Sequence, residues 1–286
     1  MRTIDSFTQL CAVIGNPVEH SLSPAMHNAA FEALNLNYVY LAFRVEDVAN
    51  CIAGMRALLS FRGMSVTIPH KLAVMQYLDE IDPIARRIGC VNTITRENGI
   101  LIGSNTDGLG TLRAFQEAGV SLEGKKVLFL GAGGAVRAVA FAFAEKGQVG
   151  HITILGRTIS KVEKLVQDIR KQTDIPVYSG NLSTDLPKAM AEHEVIVQGT
   201  PVGMYPHSEE SCVPLELLRA DHIVFDMVYR PLTTRFIREA QAAGCKTIFG
   251  IEMLLYQAAL QFEKWTGYPA PIGVMREAAL NCLQTS

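Results

Sequence analysis

The chain has 286 residues, with 26 Lys and Arg against 28 Asp and Glu, a formal net charge of −2 and a pI near 6.4. That balance leaves no cationic excess to neutralise nucleic-acid phosphates, which argues against a DNA or RNA partner. With 49% hydrophobic and 19% charged residues the composition is that of a chain burying substantial cores, and the length suits two domains rather than a disordered segment.

The longest apolar stretch, 127–144, is broken by Arg137 and carries Gly131, Gly133 and Gly134, so it falls short of the roughly 18–20 apolar residues a membrane span needs. Asp5 stands where a secretory signal would begin its apolar core, and a cytoplasmic protein is expected. Cys11, Cys51, Cys90, Cys212, Cys245 and Cys282 form no CxxC pair, which fits reduced thiols better than a disulfide framework or a zinc site. The histidines show no metal-ligand spacing either, so no metal is expected.

In chain order, strand-like runs at 11–15, 38–43 and 64–66 alternate with helix-like runs at 24–34, 48–58 and 71–78. Runs at 91–96 and 100–102 flank Asn98-Gly99, a hairpin signature. A helix at 109–118 leads into the polar stretch 121–126, which carries Gly124 and reads as a linker. Beyond it come a buried strand at 127–130, the turn Gly131-Ala132-Gly133-Gly134-Ala135, and an apolar helix to about 146. Strand and helix candidates then follow at 152–155, 160–172, 177–178, 195–198, 223–226, 234–243 and 246–248. From 253 onward strands stop and two helices finish the chain, with Leu254, Leu255, Ala258 and Phe262 at helical spacing. The fold class is α/β: a first α/β domain over 1–108, completed by 249–286, and a doubly wound, Rossmann-type domain over 109–248.

The turn 131–135 lies between a buried strand and a helix, where backbone amides can approach a pyrophosphate and the helix N-terminus can stabilise its charge. Val136 occupies the sixth position, where Gly or Ala would permit closer helix packing, and a tight turn without ligand is the alternative reading. About twenty residues later an NAD site carries a carboxylate for the ribose. Here the sequence is Leu155-Gly156-Arg157-Thr158-Ile159-Ser160-Lys161, two cations and no acid. Cations at a helix start oppose the helix dipole unless an anion joins them, so NADP is favoured over NAD.

In the first domain Ser23, before Pro24, reads as a helix N-cap, whereas Ser21 has no such structural excuse. Lys71, in Thr67-Ile68-Pro69-His70-Lys71, falls in the opening turn of the expected 71–78 helix, where its charge calls for a partner acid. Asp107 is the best candidate, although an Asp before a helix is commonly only a cap. A lysine held by a carboxylate can exchange a proton with a reacting oxygen, as carbonyl reduction by hydride requires. Asn92 could add a polar contact or be a turn residue.

These segments together make the chain resemble the shikimate dehydrogenase family over essentially its whole length. The resemblance lies in the Ser21/Ser23 pair of SLSP, Ser65 to Lys71, Val91-Asn92-Thr93, Gly103 to Gly108, Gly131 to Ala138 and Gly156 to Lys161. It continues through Gln198 to Met204, Asp226 to Tyr229 and Gly250 to Gln257. It implies Lys71 and Asp107 as the catalytic pair, with Ser21, Ser23, Thr67, Asn92, Tyr229 and Gln257 around shikimate. It also implies an NADP site at Gly131, Ala132, Gly133, Gly134, Ala135, Gly156, Arg157, Thr158, Lys161, Thr200 and Gly250. Ser65, Gly156 and Gln198-Gly199 depart from the family's usual Asn, Asn and Asn-Ala. Tyr40 and the KTI and FxxWTG segments near the end resemble the quinate/shikimate branch.

The expected activity is reversible NADPH-dependent reduction of 3-dehydroshikimate to shikimate, in aromatic amino-acid biosynthesis, with chemistry in a cleft between the domains and domain closure as a corollary. A quinate/shikimate dehydrogenase using NAD or NADP is the nearest rival. A non-catalytic nucleotide or metabolite sensor is a rival of another class, against which the retained Lys71 and Asp107 speak. The expected partners are small molecules, and a homodimer stays open.

Overall fold

In the computed structural model residues 4–284 are described; Met1, Arg2 and Thr3 of the chain start lie outside them. The chain runs through β1 (Gln9–Gly15), α1 (Ser23–Ala33), β2 (Tyr38–Arg44), α2 (Val48–Ala57), β3 (Phe61–Val66), a short 3-10 helix (Ala73–Tyr77) and β4 (Glu80–Ile81). Next come α3 (Pro83–Ile88), β5 (Thr93–Glu97), β6 (Ile100–Ser104), α4 (Asp107–Glu117), β7 (Lys126–Leu130), α5 (Gly134–Lys146), β8 (His151–Gly156) and α6 (Ile159–Arg170). The rest is β9 (Val177–Asn181), α7 (Leu182–Glu192), β10 (Val195–Gln198), a 3-10 turn (Leu215–Leu217), β11 (Ile223–Asp226), α8 (Arg235–Ala242), β12 (Lys246–Ile248), α9 (Gly250–Thr266) and α10 (Ile272–Gln284).

The chain divides into two compact units, one up to Thr106 and again from Leu255, the other Asp107–Leu254. This division lies near, and not on, the 108/109 and 248/249 boundaries read from the sequence. Two close approaches set it. A Cβ on Gly108 would stand 2.6 Å from Ala138 O, so α4 is seated on α5 from its first turn. A Cβ on Gly250 would stand 2.5 Å from Val228 O, which seats the opening of α9 on the chain leaving β11.

The first unit holds a sheet ordered β2-β1-β3-β5-β6-β4, with β1 parallel to β2 and β3, and β5 antiparallel to both β3 and β6. Cys11 to Ile14 are buried without alternation, as in a strand covered on both faces. Register pairs Ile14 with Val66, Ser65 with Thr93, and Thr93 with Ser104. The carboxyl ends of β1, β3 and β6 and the start of β5 therefore share one edge of the sheet. The hairpin between β5 and β6 turns at Asn98 and Gly99, both left-handed at φ 49° and 88°. The two terminal helices return to this unit. Trp265 Nε1 donates to Ile94 O at 3.0 Å over Gly63, whose Cβ would stand 2.2 Å from that nitrogen, and α10 packs along α1.

Three local expectations need correction. The 71–78 helix is absent: Lys71 lies in a turn ahead of the 3-10 helix. Its carbonyl accepts from Val91 N at 2.9 Å, a tertiary bond that takes it from the helical ladder. Ser23 is not the N-cap. Leu22 holds that place in helical conformation with no side-chain cap, and Ser21 Oγ accepts from Ser23 N at 3.3 Å, which gives Ser21 the local duty. Asp107 is the first residue of α4 rather than a cap before it. The sequence reading also passed over α3 and α7. Asp82 Oδ1 capping Ile84 N at 2.8 Å and left-handed Gly89 bracket α3, and α7 runs unbroken through Pro187, a residue that ordinarily signals against a helix interior.

A buried imidazole sits among aromatic rings of the first unit. His27, fully buried on α1, stacks on Tyr40 at 4.4 Å with Phe31, Phe262 and Trp265 around it, and neither ring nitrogen has a hydrogen-bond partner among the described residues. Burial pushes its pKa down from 6.5 to about 3, so it stays neutral in the fold where the unfolded chain protonates. Its contribution is fully present above pH 6.5 and is lost as pH falls toward 3, at about 1.4 kcal/mol per pH unit. Between pH 7 and pH 5 the wild type should therefore lose about 2 kcal/mol more stability than His27→Phe, read from urea midpoints. Equal losses would refute the assignment.

The second unit holds a wholly parallel sheet ordered β12-β11-β10-β7-β8-β9. With β7 as the first strand this is the 3-2-1-4-5-6 order of dinucleotide-binding folds, and the order reverses between β7 and β10. Leu128, Leu130, Ile196 and Val224 fill one core, closed by Leu186, Phe236 and Ile237 from the helices. Among the described residues no helix is long and apolar enough to cross a membrane, and no group of three or more His, Cys, Asp or Glu is placed to hold a metal ion.

Candidate active site

At the carboxyl ends of β7, β8 and β10, the second unit opens a cavity of about 330 Å³ lined by Gly131, Ala132, Gly133, Gly156, Arg157, Thr158, Lys161, Val162, Leu182, Gly199, Thr200 and Pro201. Gly131, at φ 106°, turns the chain out of β7 where a Cβ would meet Gly199 at 3.2 Å. Cβ atoms on Gly133 and Gly134 would enter open space. Packing within the protein therefore does not require these two glycines, whereas the close approach of an anionic ligand to the first amides of α5 would. Gly133 caps α5 with no side-chain bond, so the capping residue supplies those amides no side-chain acceptor.

Arg157 and Lys161 are exposed cations on this cavity, at the foot of α6, which has no acid in its first turn and no side-chain cap from Thr158. The lining holds no carboxylate. Its donor set, open amides beside two cations and two threonine hydroxyls, fits a dinucleotide carrying an extra phosphate on its ribose. Gly134, Ala135 and Gly250 lie outside the lining; Gly250 instead packs against the backbone of Asp226 and Val228.

The unusual residues around this cavity fit one another. A Cβ on Gly156 would stand 2.7 Å from Val162 Cγ2, and one on Gly199 would stand 2.2 Å from Val136 Cγ2 and 3.1 Å from Met227 Sδ. The bulk at position 136 is thus accommodated by the missing side chain at 199. Gly199→Ala should cost about 1–3 kcal/mol by overpacking, and Val136→Ala in the same chain should recover most of it, read as paired melting temperatures. No recovery would mean that the two positions are not coupled.

In the first unit the other candidate residues cluster in the chain leaving the shared sheet edge. Ser21 is half-buried and Ser23 buried, after β1; Thr67 and Lys71 follow β3. Thr67 N donates to Ile14 O at 2.9 Å, and Thr67 Cγ2 lies 2.4 Å from the Cβ position of Gly15, so glycine there lets the segment cross β1 closely. Asn92, 2% exposed, is no surface turn residue: Oδ1 accepts from Thr106 N at 2.9 Å and Thr93 Oγ1 at 2.7 Å, and Nδ2 donates to Thr106 Oγ1 at 3.1 Å. Asp107, which follows Thr106 directly and is 5% exposed, is the first residue of the second unit. Gln257 is 8% exposed on α9. Tyr229 belongs to the second unit, half-buried beyond β11.

Comparisons with known proteins agree over the length of the chain. The model of the shikimate dehydrogenase substrate binding domain matches residues 13–94, that of shikimate / quinate 5-dehydrogenase 113–223, and that of the shikimate 5'-dehydrogenase C-terminal domain 250–280. A shikimate dehydrogenase (NADP(+)) of Methanococcus maripaludis is 44% identical over 97% of this chain and 99% of its own. The chain belongs to the shikimate dehydrogenase family. A solved shikimate dehydrogenase in complex with NADP+ has a TM-score of 0.91 at 43% identity, covering 98% of this chain and 97% of that one. The Listeria monocytogenes shikimate 5-dehydrogenase in complex with shikimate and NAD has a TM-score of 0.92 at 39% identity, covering 97% and 98%.

Within this family frame the structure adds a residue that the sequence reading missed. The resemblance singles out Gln257 on α9, but Gln261, one turn on and fully buried, carries a chain of hydrogen bonds. Its Oε1 accepts from Ser65 Oγ at 2.8 Å, so the Tyr40 hydroxyl, 2.6 Å from Ser65 Oγ, is the donor there. Gln261 Nε2 donates to Thr93 Oγ1 at 2.8 Å, and Thr93 in turn bonds Asn92. Ser65, where a shikimate dehydrogenase usually has Asn, thus serves this buried network. Two glutamines four residues apart on an apolar helix were the available signal.

Proposed function

We propose that this chain reduces 3-dehydroshikimate to shikimate with NADPH, reversibly, in the cytoplasm. The observation that carries the reading is the cavity of the second unit, where Arg157 and Lys161 replace the carboxylate of an NAD site, in a chain of this family. The open amides at the start of α5 would hold the pyrophosphate, and Arg157, Thr158 and Lys161 the phosphate on the adenosine ribose. The chemistry that NADPH would supply when held there is a hydride for the carbonyl carbon. As the C=O π pair moves onto oxygen, the Lys71 ammonium gives that oxygen its proton, and Asp107 keeps the lysine charged and oriented. Ser21, Ser23, Thr67, Asn92, Tyr229 and Gln257 would bind the substrate hydroxyls and carboxylate, and Thr200 would flank the dinucleotide. The partners in this reading are small molecules.

Steady-state rates on shikimate and quinate, each with NADP and NAD, test the reading. The expected result is the highest kcat/KM for shikimate with NADP. A higher value for quinate would overturn the substrate, and equal values for the two cofactors would overturn the phosphate site.

A further inference from the structure

We propose that Gln198 is a positioning residue for the dinucleotide cavity: its buried amide, anchored beside Asp226, fixes the backbone of Gly199, Thr200 and Pro201 that forms one wall. The inference rests on the cofactor reading above and extends it to a residue absent from the lining.

Gln198 ends β10, next to the point where strand order reverses, and is 1% exposed. Its side chain does not enter the apolar core. It folds over the turn that follows, so that Thr200 N donates to Oε1 while Nε2 donates to Thr200 O at 3.1 Å and Val202 O at 3.0 Å. A longer contact of 3.5 Å joins Nε2 to Asp226 Oδ1. Asp226 is itself held, fully buried, by Val228 N at 3.0 Å and Thr234 Oγ1 at 2.6 Å, and it therefore presents a stationary acceptor. Val202 N closes the turn on Thr200 Oγ1 at 3.3 Å.

One amide thus satisfies a backbone donor and two backbone acceptors of a half-buried turn. Without it those groups must find water or rearrange, and the wall moves with them. The family's usual Asn is one methylene shorter and cannot span Thr200, Val202 and Asp226 together. Gly199 completes the arrangement. Because it has no Cβ, the turn approaches Val136 on α5, and this brings Thr200 and Pro201 beside Gly131 on the same cavity. Gln198 and Gly199 together form one change from Asn-Ala, matched to Val136, which packs directly against Gly199.

The test is Gln198→Met in the full chain, which keeps length and volume and removes every hydrogen bond, with Gln198→Asn as the conservative variant. The measurements are NADPH and NADH dissociation constants by fluorescence titration, KM for each substrate, kcat and melting temperature. The Met variant is expected to raise the dissociation constant and KM of the dinucleotide about tenfold, with kcat within about threefold and the KM for 3-dehydroshikimate unchanged. The Asn variant, which keeps an amide on the turn, should recover part of the loss. Wild-type affinity in the Met variant overturns the inference, as does a parallel fall in kcat and in both affinities. Should the Met variant fail to fold, the Asn variant decides on the same split. A wild-type protein that binds neither dinucleotide overturns the cofactor reading and this inference with it.

Discussion

Lys71→Ala should lower kcat for reduction of 3-dehydroshikimate by about 10²- to 10⁴-fold while both KM values move by less than about tenfold. The size follows from the role. Hydride arrival leaves a full negative charge on oxygen, and a proton donor held at that oxygen removes a charge that water would stabilise only after reorganising. Lys71 is half-buried in a turn anchored at both ends, with His70 N donating to Thr67 O at 2.9 Å and Val91 N to Lys71 O at 2.9 Å, so its backbone is fixed independently of its side chain. Truncation should therefore remove the ammonium without unfolding the segment, and an unchanged melting temperature is part of the prediction. Asp107→Asn should follow in the same direction. A fully active Lys71→Ala protein would remove the proton role from this residue.

The second large effect is expected from Arg157→Ala combined with Lys161→Ala. A charge-assisted hydrogen bond to phosphate contributes about 1.5–3 kcal/mol, or roughly 10- to 150-fold in affinity. The pair should raise the KM for NADPH within or above that range while leaving the KM for NADH nearly unchanged, since NADH carries no phosphate there. Both side chains are exposed, so the effect should shrink as ionic strength rises and the screening length falls. An unchanged NADPH to NADH ratio in the double variant would refute the phosphate clamp.

How far the site could be read in advance depended on how local each feature is. The glycine-rich turn at 131–135 was visible because a buried strand, Gly131 and an apolar helix follow one another without a gap, and the cations at Arg157 and Lys161 occupy a fixed distance beyond it. The Asn98-Gly99 turn was visible for the same reason, since both of its φ angles are properties of the dipeptide. By contrast the helix expected at 71–78 failed on a hydrogen bond from Val91, twenty residues away in the chain, and the capping role expected of Ser23 failed on the conformation of Leu22. The helix α3 carried its signal openly, an Asp82-Pro83 start and a Gly89 stop, and was overlooked.

From residue order alone came the α/β class, the doubly wound second half and the electrostatic preference for a phosphorylated dinucleotide, because periodicity, turn chemistry and charge sign are carried by neighbouring residues. Folding in three dimensions decided the rest. The fit of Val136 to Gly199, the hold of Gln198 on its turn, the Tyr40, Ser65 and Gln261 chain that reaches Asn92, and the stacking of His27 on Tyr40 all join positions from separate elements. Whether a Cβ collides, or a buried amide finds its acceptor, depends on distances of a few tenths of an ångström between those elements, and no spacing along the chain encodes them.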